Sequence, residues 1–134
     1  MVFVDTSAFL ASKNRRDARH AEAIRLKQRV LDRGKSLGTT DDVLDETYTI
    51  IRLRAGHRIA VEFGEELRAS RLIRIEHVTP EVIEKAWVLF KRFADKDFSF
   101  TDCTSFVVMR ELGLREALAF DGHSLQAGFT EIRS

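Results

Sequence analysis

Four acidic residues stand where the chain leaves a buried segment for a loop or a helix. Asp5 and Asp121 each directly follow a short apolar run, Asp102 follows the segment 98–101, and Glu46 lies early in a predicted helix. The carboxyl ends of parallel strands meet at one edge of a sheet, so acids that are far apart in sequence can become neighbours there. Crowded carboxylates repel one another unless a cation neutralises them. The pattern therefore predicts a divalent cation site.

The ligand types indicate which cation this would be and what it would do. The set contains carboxylate oxygens and no His or Cys, which favours Mg²⁺ or Mn²⁺ over Zn²⁺. Such ions keep several waters, one of which can be deprotonated to attack phosphorus, and a second ion roughly 4 Å away can steady the leaving oxygen. The predicted reaction is metal-assisted hydrolysis of a phosphodiester.

Each acid also has a purely structural explanation. Asp5 could cap a small helix, Ser99 and Asp102 match a capping box, Asp121 could open a turn, and Glu46 could face solvent. Capping alone does not require aspartate in preference to Ser or Asn. The placement of three acids at one expected sheet edge therefore favours a shared site.

Hydroxyl side chains accompany these acids. Thr6 and Ser7 follow Asp5 directly, and Thr101 and Ser105 lie within one turn of Asp102. Such groups can hold phosphate oxygens or water, so we expect them to support the acidic site.

The elements that must position the acids alternate along the chain. Apolar runs predict strands, and 3.6-residue periodicity predicts helices between them. The strands are expected at 2–5, 36–39, 72–75 and 117–120, with a fifth edge strand at 129–132; the helices are expected at 7–11, 17–33, 41–54, 58–70, 80–93, 101–113 and just after residue 121. This alternation predicts an α/β sandwich whose four- or five-stranded sheet is mainly parallel and covered on both faces.

The single tryptophan and the single cysteine of the chain are both expected to be buried. Trp87 belongs to an apolar stripe on the helix that starts after Thr79, so we expect it to lie in the core rather than to bind a ligand. Cys103 lies within an apolar helical pattern and is expected to act as a small buried hydrophobe.

Composition limits the class of protein. The chain has 134 residues, 44% of them hydrophobic and 32% charged, which predicts one globular domain spanning 1–134. We find no apolar run long enough to span a membrane and no signal-peptide pattern at the start. A single cysteine excludes an internal disulfide and favours a reducing, cytoplasmic setting.

Basic residues are concentrated in one stretch although the net charge is only +1. The segment 13–33 holds eight Lys or Arg and three acids, and Arg outnumbers Lys sixteen to six in the whole chain. Arginine grips phosphate through a planar fork, which suits RNA. A solvated helix face explains the same counts, so contact between this stretch and RNA is left open.

Four short motifs, in order, resemble those of PIN-domain ribonucleases, and in particular the toxins of VapBC toxin–antitoxin pairs. The motifs are Val4-Asp5-Thr6-Ser7, Asp45-Glu46-Thr47, Asp97-Phe98-Ser99-Phe100-Thr101-Asp102, and Ala119-Phe120-Asp121-Gly122-His123. The resemblance implies an endoribonuclease that depends on Mg²⁺ or Mn²⁺ and acts as the toxin of a type II system. Asp5 and Asp102 would be the direct metal ligands. Glu46 would bind metal or orient the attacking water, and Asp121 would act directly or through water.

The resemblance also implies partners and leaves some residues open. It implies a homodimer, an RNA substrate and a VapB-like antitoxin that inserts a peptide, often with an arginine, into the acidic cleft. Asp97 could serve the metal site or shape its loop, and we favour the loop. Ser124 stands where such proteins often carry an aromatic residue, which questions the packing of the last motif. His123 could contact the substrate, and we favour a surface imidazole.

Three other interpretations fit less well. A receiver domain would need an acidic pair after the first strand, and a haloacid-dehalogenase-like phosphatase would need Asp-x-Asp there, but Asp5 is followed by Thr6 and Ser7. A catalytically silent RNA-binding or scaffold form of the same fold is the remaining alternative. Retention of all four acids argues against it.

Overall fold

The computed structural model describes residues 1–133, so the last residue of the predicted domain lies outside the described part. It contains five strands: β1 (Val2–Val4), β2 (Leu37–Thr40), β3 (Ile73–Glu76), β4 (Glu116–Leu118) and β5 (Thr130–Glu131). The seven helices are α1 (Thr6–Lys13), α2 (His20–Asp32), α3 (Asp41–Ala55), α4 (His57–Ala69), α5 (Pro80–Arg92), α6 (Phe100–Glu111) and α7 (His123–Gln126). The predicted elements are confirmed, with shifts of a few residues at their ends.

The sheet is parallel throughout, and its strand order is β3-β2-β1-β4-β5. The chain moves outward from β1 to β3 and then returns to the other side of β1 at β4. The direction of winding therefore reverses between β1 and β4. In open α/β sheets the ligand crevice lies outside the carboxyl ends of the strands at such a reversal, and Asp5 and Asp121 follow these two strands.

Side-chain caps begin the helices that leave this edge. Thr40 accepts a hydrogen bond from the Val43 amide at 3.1 Å, and Thr79, which precedes a proline at the first helical position, accepts one from Val82 at 3.2 Å. A cap replaces a missing intrahelical partner, so it fixes where a helix begins. Local sequence thus sets the geometry with which the chain leaves each strand.

The predicted second helix begins later than expected. Asp17 does not open the helix, because its Oδ1 accepts a hydrogen bond from the Arg19 backbone amide at 2.7 Å and forms a local turn. The helix starts at His20. Residues 14–19 therefore form a connection that runs past the carboxyl edge of β1, and its basic side chains are available there.

The core confirms the prediction for Cys103, which is completely buried, and corrects the one for Trp87. Trp87 is 49% exposed, Ile83 42% and Phe90 41%. Helix α5 packs mainly against α6, and one neighbouring helix cannot cover so wide an apolar arc. The prediction that this whole stripe lies in the core was wrong.

The last motif is well packed despite its unusual residue. Ser124 is buried, and its hydroxyl donates to Glu131 Oε1 at 3.0 Å. Glu131 is itself buried and also pairs with Arg133 at 3.1 Å. A polar link to β5 therefore does here what an aromatic side chain would do by packing.

Candidate active site

Asp5 lies at the end of the central strand and caps α1, as the structural explanation predicted. Its Oδ1 accepts hydrogen bonds from the Ala8 amide at 3.1 Å and from the Ser7 hydroxyl at 2.6 Å. Its Oδ2 accepts no hydrogen bond from residues 1–133. One oxygen serves the helix, and the other remains available for a ligand.

Ser7 connects the two strands that flank the reversal. Its hydroxyl donates to Asp5 and accepts a hydrogen bond from the Phe120 amide at 2.9 Å. The Asp5 amide in turn donates to the Leu118 carbonyl at 3.3 Å. These bonds hold the segment that carries Asp121 against the end of β1, so they set the spacing between the two carboxylates.

Asp102 combines a capping role with a place in the site. It forms the predicted capping box with Ser99, and its Oδ2 accepts the Ser99 amide at 2.9 Å. The same Oδ2 lies 2.8 Å from Nδ1 of His123. Within the described part of the chain, Oδ1 has no hydrogen-bond partner. As with Asp5, the helix occupies only one of the two oxygens.

His123 was missed as a member of the site, because the sequence suggested a surface imidazole. Its side chain is only 26% exposed and lies between Asp102, at 2.8 Å, and Oδ2 of Asp121, at 3.5 Å. The turn formed by Asp121, whose Oδ1 accepts the His123 amide at 3.0 Å, directs the ring inward. A His two residues after a strand-end Asp was the available signal.

Burial and neighbouring carboxylates shift the pKa values of two groups in this cluster. Burial, and then the carboxylates of Asp121 and Asp102, raise the pKa of Asp5 to about 8 from an ordinary value of 3.8. Burial lowers the pKa of the His123 imidazole, but the carboxylates of Asp121 and Asp102 outweigh it and raise that pKa overall. Burial and the neighbouring carboxylates therefore disfavour a negative charge on Asp5, and a bound cation would favour it.

The imidazole offers a direct probe of cation binding. We expect the pKa of His123, followed by NMR of its ring protons, to lie above 6.5 without metal and to fall when Mg²⁺ is added. A bound cation would neutralise the carboxylates that now stabilise the imidazolium. Asp102→Asn should lower the pKa without metal, and a titration curve unchanged by Mg²⁺ would contradict the site.

The geometry fits a divalent cation. Asp102, Asp121 and His123 each offer one ligand atom, and these atoms lie within 4.8 Å of one another. The Thr6 hydroxyl is buried and has no hydrogen-bond partner among residues 1–133. Free carboxylate oxygens and an unpartnered hydroxyl beside Asp5 are suitable for an ion with its water. Imidazole adds a nitrogen donor that the sequence-based ligand set did not include.

Glu46 is placed differently from the other three acids. It is half-buried on the second turn of α3, and no hydrogen bond or ion pair joins it to Asp5, Asp102 or Asp121 within residues 1–133. Residues four apart share one side of a helix, so Glu46 lies on the same side as Asp42. Asp42 is near Thr104 of α6. Glu46 therefore lies on the side of α3 that faces α6, the helix that carries Asp102.

Asp42 itself was not predicted. Burial raises its pKa, and the nearby Thr104 hydroxyl opposes this effect. Its position one turn before Glu46 was the only signal in the sequence. It extends the acidic surface along α3 toward α6.

The residues predicted to support the site have different roles in the structure. Ser105 is buried in α6, and the Thr101 carbonyl accepts the Thr104 hydroxyl at 3.0 Å, so both contribute to the helix that carries Asp102. Asp97 is exposed and makes no hydrogen bond or ion pair with any residue of the described chain. Its position agrees with a loop residue rather than a ligand.

A family model described as PIN domain matches residues 2–129, and the chain belongs to this family. The match covers strands β1 to β4 and all four acids, and it ends just before β5.

Several similar proteins are named as VapC endonucleases or ribonucleases. The chain is 44% identical, over 99% of its length and 98% of theirs, to the 23S rRNA-specific endonuclease VapC20 of Mycobacterium tuberculosis strains CDC 1551 and H37Rv. It is 32% identical to a VapC ribonuclease of Archaeoglobus fulgidus, over 84% of this chain and 72% of that protein. The crystal structure of M. tuberculosis VapC20, described as a sarcin-ricin loop cleaving toxin, superposes with a TM-score of 0.90 at 42% identity and covers both chains completely. These matches confirm the resemblance drawn from the motifs.

Proposed function

We propose that this chain is a metal-dependent endoribonuclease that acts as the toxin of a type II toxin–antitoxin pair. The observation that carries the proposal is the convergence of Asp5, Asp102 and Asp121 at the winding reversal, where each has an oxygen that the backbone does not use. Three carboxylates would repel a phosphodiester. A site of this kind acts on RNA only when a cation compensates its charge.

The proposed roles follow from position. Asp5 and Asp102, the less exposed of the three carboxylates, hold the cation, and Asp121 completes its shell directly or through water. The chemistry that Mg²⁺ or Mn²⁺ supplies in such a site is polarisation of phosphoryl oxygens and activation of water. His123 donates to Asp102 and fixes its orientation. Glu46, facing the α6 side, orients the attacking water or adds a ligand.

The proposed substrate is the sarcin-ricin loop of 23S ribosomal RNA, cleaved in the cytoplasm. Support comes from the names of relatives that share 44% identity over almost the whole chain and from a structural match of TM-score 0.90. Within residues 1–133, no helix is long and apolar enough to cross a membrane. We take 1–134 as one nuclease domain.

The test uses the purified protein, a synthetic RNA hairpin carrying the sarcin-ricin sequence, and Mg²⁺ or Mn²⁺. We expect one discrete cut with either metal and none in EDTA. A cut that persists in EDTA, or that appears equally with Asp5→Asn, would reveal a contaminating nuclease and contradict the proposal. Cleavage of other RNAs but not of this hairpin would reject the proposed substrate and keep the proposed endoribonuclease activity.

We further propose a VapB-like antitoxin as the partner that inhibits this site. An arginine from such a partner would neutralise the same carboxylates that hold the cation. The placement of three carboxylates around one site supports this proposal. The partner should therefore compete with Mg²⁺ for the protein.

A homodimer is proposed through the outer face of α5. The exposed rings of Trp87 and Phe90 form an aromatic cluster with the half-buried ring of Phe100, and the ring centroids lie 5.7–6.4 Å apart. Glu84 and Lys91 flank it on the side next to Trp87, and both are exposed without an ion pair in the described chain. An antiparallel second α5, with the twofold axis between Trp87 and Val88, would place Glu84 opposite the partner copy's Lys91 twice, as a twofold interface requires.

Charge exchange tests this interface. Glu84→Lys should weaken the dimer about tenfold or more in sedimentation, because two lysines would then face each other at both ends. The double variant Glu84→Lys/Lys91→Glu should restore the dimer, since the attraction is only reversed. If neither the single nor the double variant changes dimer stability, the dimer forms through another surface.

A further inference from the structure

A cleft leads away from the acidic site along α1 and α3, and it is lined by basic residues that catalysis does not use. Its inner part, of about 230 Å³, is lined by Ser7 and Asp121 of the site together with Arg19, Arg54 and Phe120. It is continuous with an outer part of about 410 Å³ that shares Leu10, Asp17 and Arg54 and adds Arg16 and Lys13. The cleft thus begins beside the carboxylate of Asp121 and ends beside the basic side chains of Arg16 and Lys13.

The charges of the cleft suit a polyanion. Arg16 and Arg54 are exposed, and neither side chain has an ion-pair partner in the described part of the chain. Lys13 is paired with Glu66, so it contributes less free charge. Asp17 lines both parts of the cleft, and its Oδ1 already accepts a hydrogen bond from the Arg19 amide. The two arginines that bracket the cleft are therefore free to bind phosphate.

A planar surface lies between these arginines and the carboxylates. The Arg19 guanidinium stands 5.2 Å from the centroid of the Phe120 ring, and Phe120 directly precedes Asp121. Its contact with Glu22 is long, at 4.0 Å, so the guanidinium is not held elsewhere. Unpaired bases stack on aromatic rings and on guanidinium planes of this kind.

We propose that this cleft binds the single-stranded RNA on one side of the scissile bond. Arg54 and Arg16 contact successive phosphates, and the Arg19–Phe120 pair stacks on the unpaired base next to the cleavage site. The inference rests on the proposed ribonuclease function and adds the direction in which substrate leaves the site. Of the basic stretch 13–33, only the part before α2 takes part, joined by an arginine from α3 that the sequence did not connect with it.

The test measures RNA binding separately from cleavage. In the Asp5→Asn background, the sarcin-ricin hairpin is titrated by fluorescence anisotropy at several salt concentrations without divalent metal. Arg16→Ala/Arg54→Ala should weaken binding by about tenfold or more and should reduce the salt slope by about 1–2, because two phosphate contacts are lost. Arg71→Ala is the matched control, since Arg71 is exposed before β3 at the opposite edge of the sheet. It should bind as the parent does.

Stacking is tested by a variant that keeps the charge. Arg19→Lys should weaken binding several-fold with an unchanged salt slope, because lysine lacks the guanidinium plane. In the cleavage-competent protein, the double arginine variant should raise KM far more than it lowers kcat. Thermal melts of all variants should match the parent, because every exchanged side chain is exposed.

The outcomes separate this proposal from the function on which it rests. Unchanged RNA affinity in Arg16→Ala/Arg54→Ala, while EDTA and Asp5→Asn still stop cleavage, would overturn the cleft and leave the ribonuclease intact. Unchanged RNA affinity together with lost binding of a poly-glutamate peptide would also overturn it and would assign the cleft to an acidic protein segment. A wild type that cuts no RNA with Mg²⁺ or Mn²⁺ would reject the function, whatever the anisotropy shows.

Discussion

Replacing Asp5 with asparagine is expected to abolish RNA cleavage and, in the same variant, to make the metal-free protein more stable above neutral pH. Loss of a residue that only orients a metal ligand costs about 10–100-fold, so loss of a direct ligand should cost on the order of 100-fold or more. Asparagine can still accept the Ala8 amide through its side-chain oxygen and cap α1. The fold should therefore survive.

The gain in stability follows from the direction of the pKa shift. The pKa of Asp5 rises from 3.8 to about 8 on folding, so the folded state holds a proton that the unfolded state has released. The contribution of this group to stability is fully present below about pH 4 and is lost as pH rises toward 8. One pKa unit corresponds to roughly 1.4 kcal/mol, so the wild type should lose up to a few kcal/mol across that window.

Asparagine carries no such penalty, so its advantage over the wild type should grow with pH. At pH 8.5 and in EDTA, the melting temperature of Asp5→Asn should exceed that of the wild type by about 5 °C or more. At pH 4 the two should agree. Both proteins keep the smaller decline caused by His123, whose raised pKa acts in the same direction. Equal melting temperatures at pH 8.5 would show that folding does not raise the pKa of Asp5.

Asp102→Asn is expected to remove both cleavage and stabilisation by metal, whereas Asp97→Asn should change neither. The two substitutions delete the same charge from residues five apart. Asp102 touches His123 and shares the site with Asp5 and Asp121, while Asp97 is exposed without a hydrogen-bond or ion-pair partner in the described chain. Loss of the direct ligand should again cost on the order of 100-fold or more in rate.

The measurement compares melting temperatures with and without 10 mM Mg²⁺, as about a hundredfold excess over a submillimolar Kd would add roughly 2.7 kcal/mol. Wild type and Asp97→Asn should shift upward by several degrees, and Asp102→Asn should not. Asparagine can accept the Ser99 amide and preserve the capping box, so its melting temperature without metal should stay near that of the wild type. A full Mg²⁺ shift in Asp102→Asn would remove this residue from the ligand set.

The site could be predicted in part because its main residues are tied to local signals. Strand ends and helix caps are encoded within a few residues, and Asp5, Asp102 and Asp121 each stand at one of them. The capping and the catalytic explanations of these acids do not compete, because a carboxylate has two oxygens and the helix uses one. The sequence also indicated that the Ser7 hydroxyl supports Asp5. It did not indicate that this hydroxyl accepts a hydrogen bond from the Phe120 amide.

Other features depended on contacts that no local pattern encodes. Trp87 was expected in the core because its helical periodicity is apolar, yet periodicity shows which residues share a face and not whether another element covers that face. His123 was taken as a surface residue, but the turn formed by Asp121, two residues earlier, directs its ring between two carboxylates. The orientation of Glu46, the burial of Asp42 and the convergence of Arg16, Arg19 and Arg54 on one cleft all depend on how α3 packs beside α1 and α6.

The amino-acid sequence by itself determined the alternation of strands and helices, the start of most helices, and three of the carboxylates that define the site, because these depend on interactions within a few residues. Only the tertiary structure decided which carboxylate oxygens stay free, that the His123 imidazole lies beside them, which aromatic face is left exposed and where a basic cleft opens. Those properties arise from the distances between segments remote in the chain, and side-chain charge acts through space rather than along the backbone.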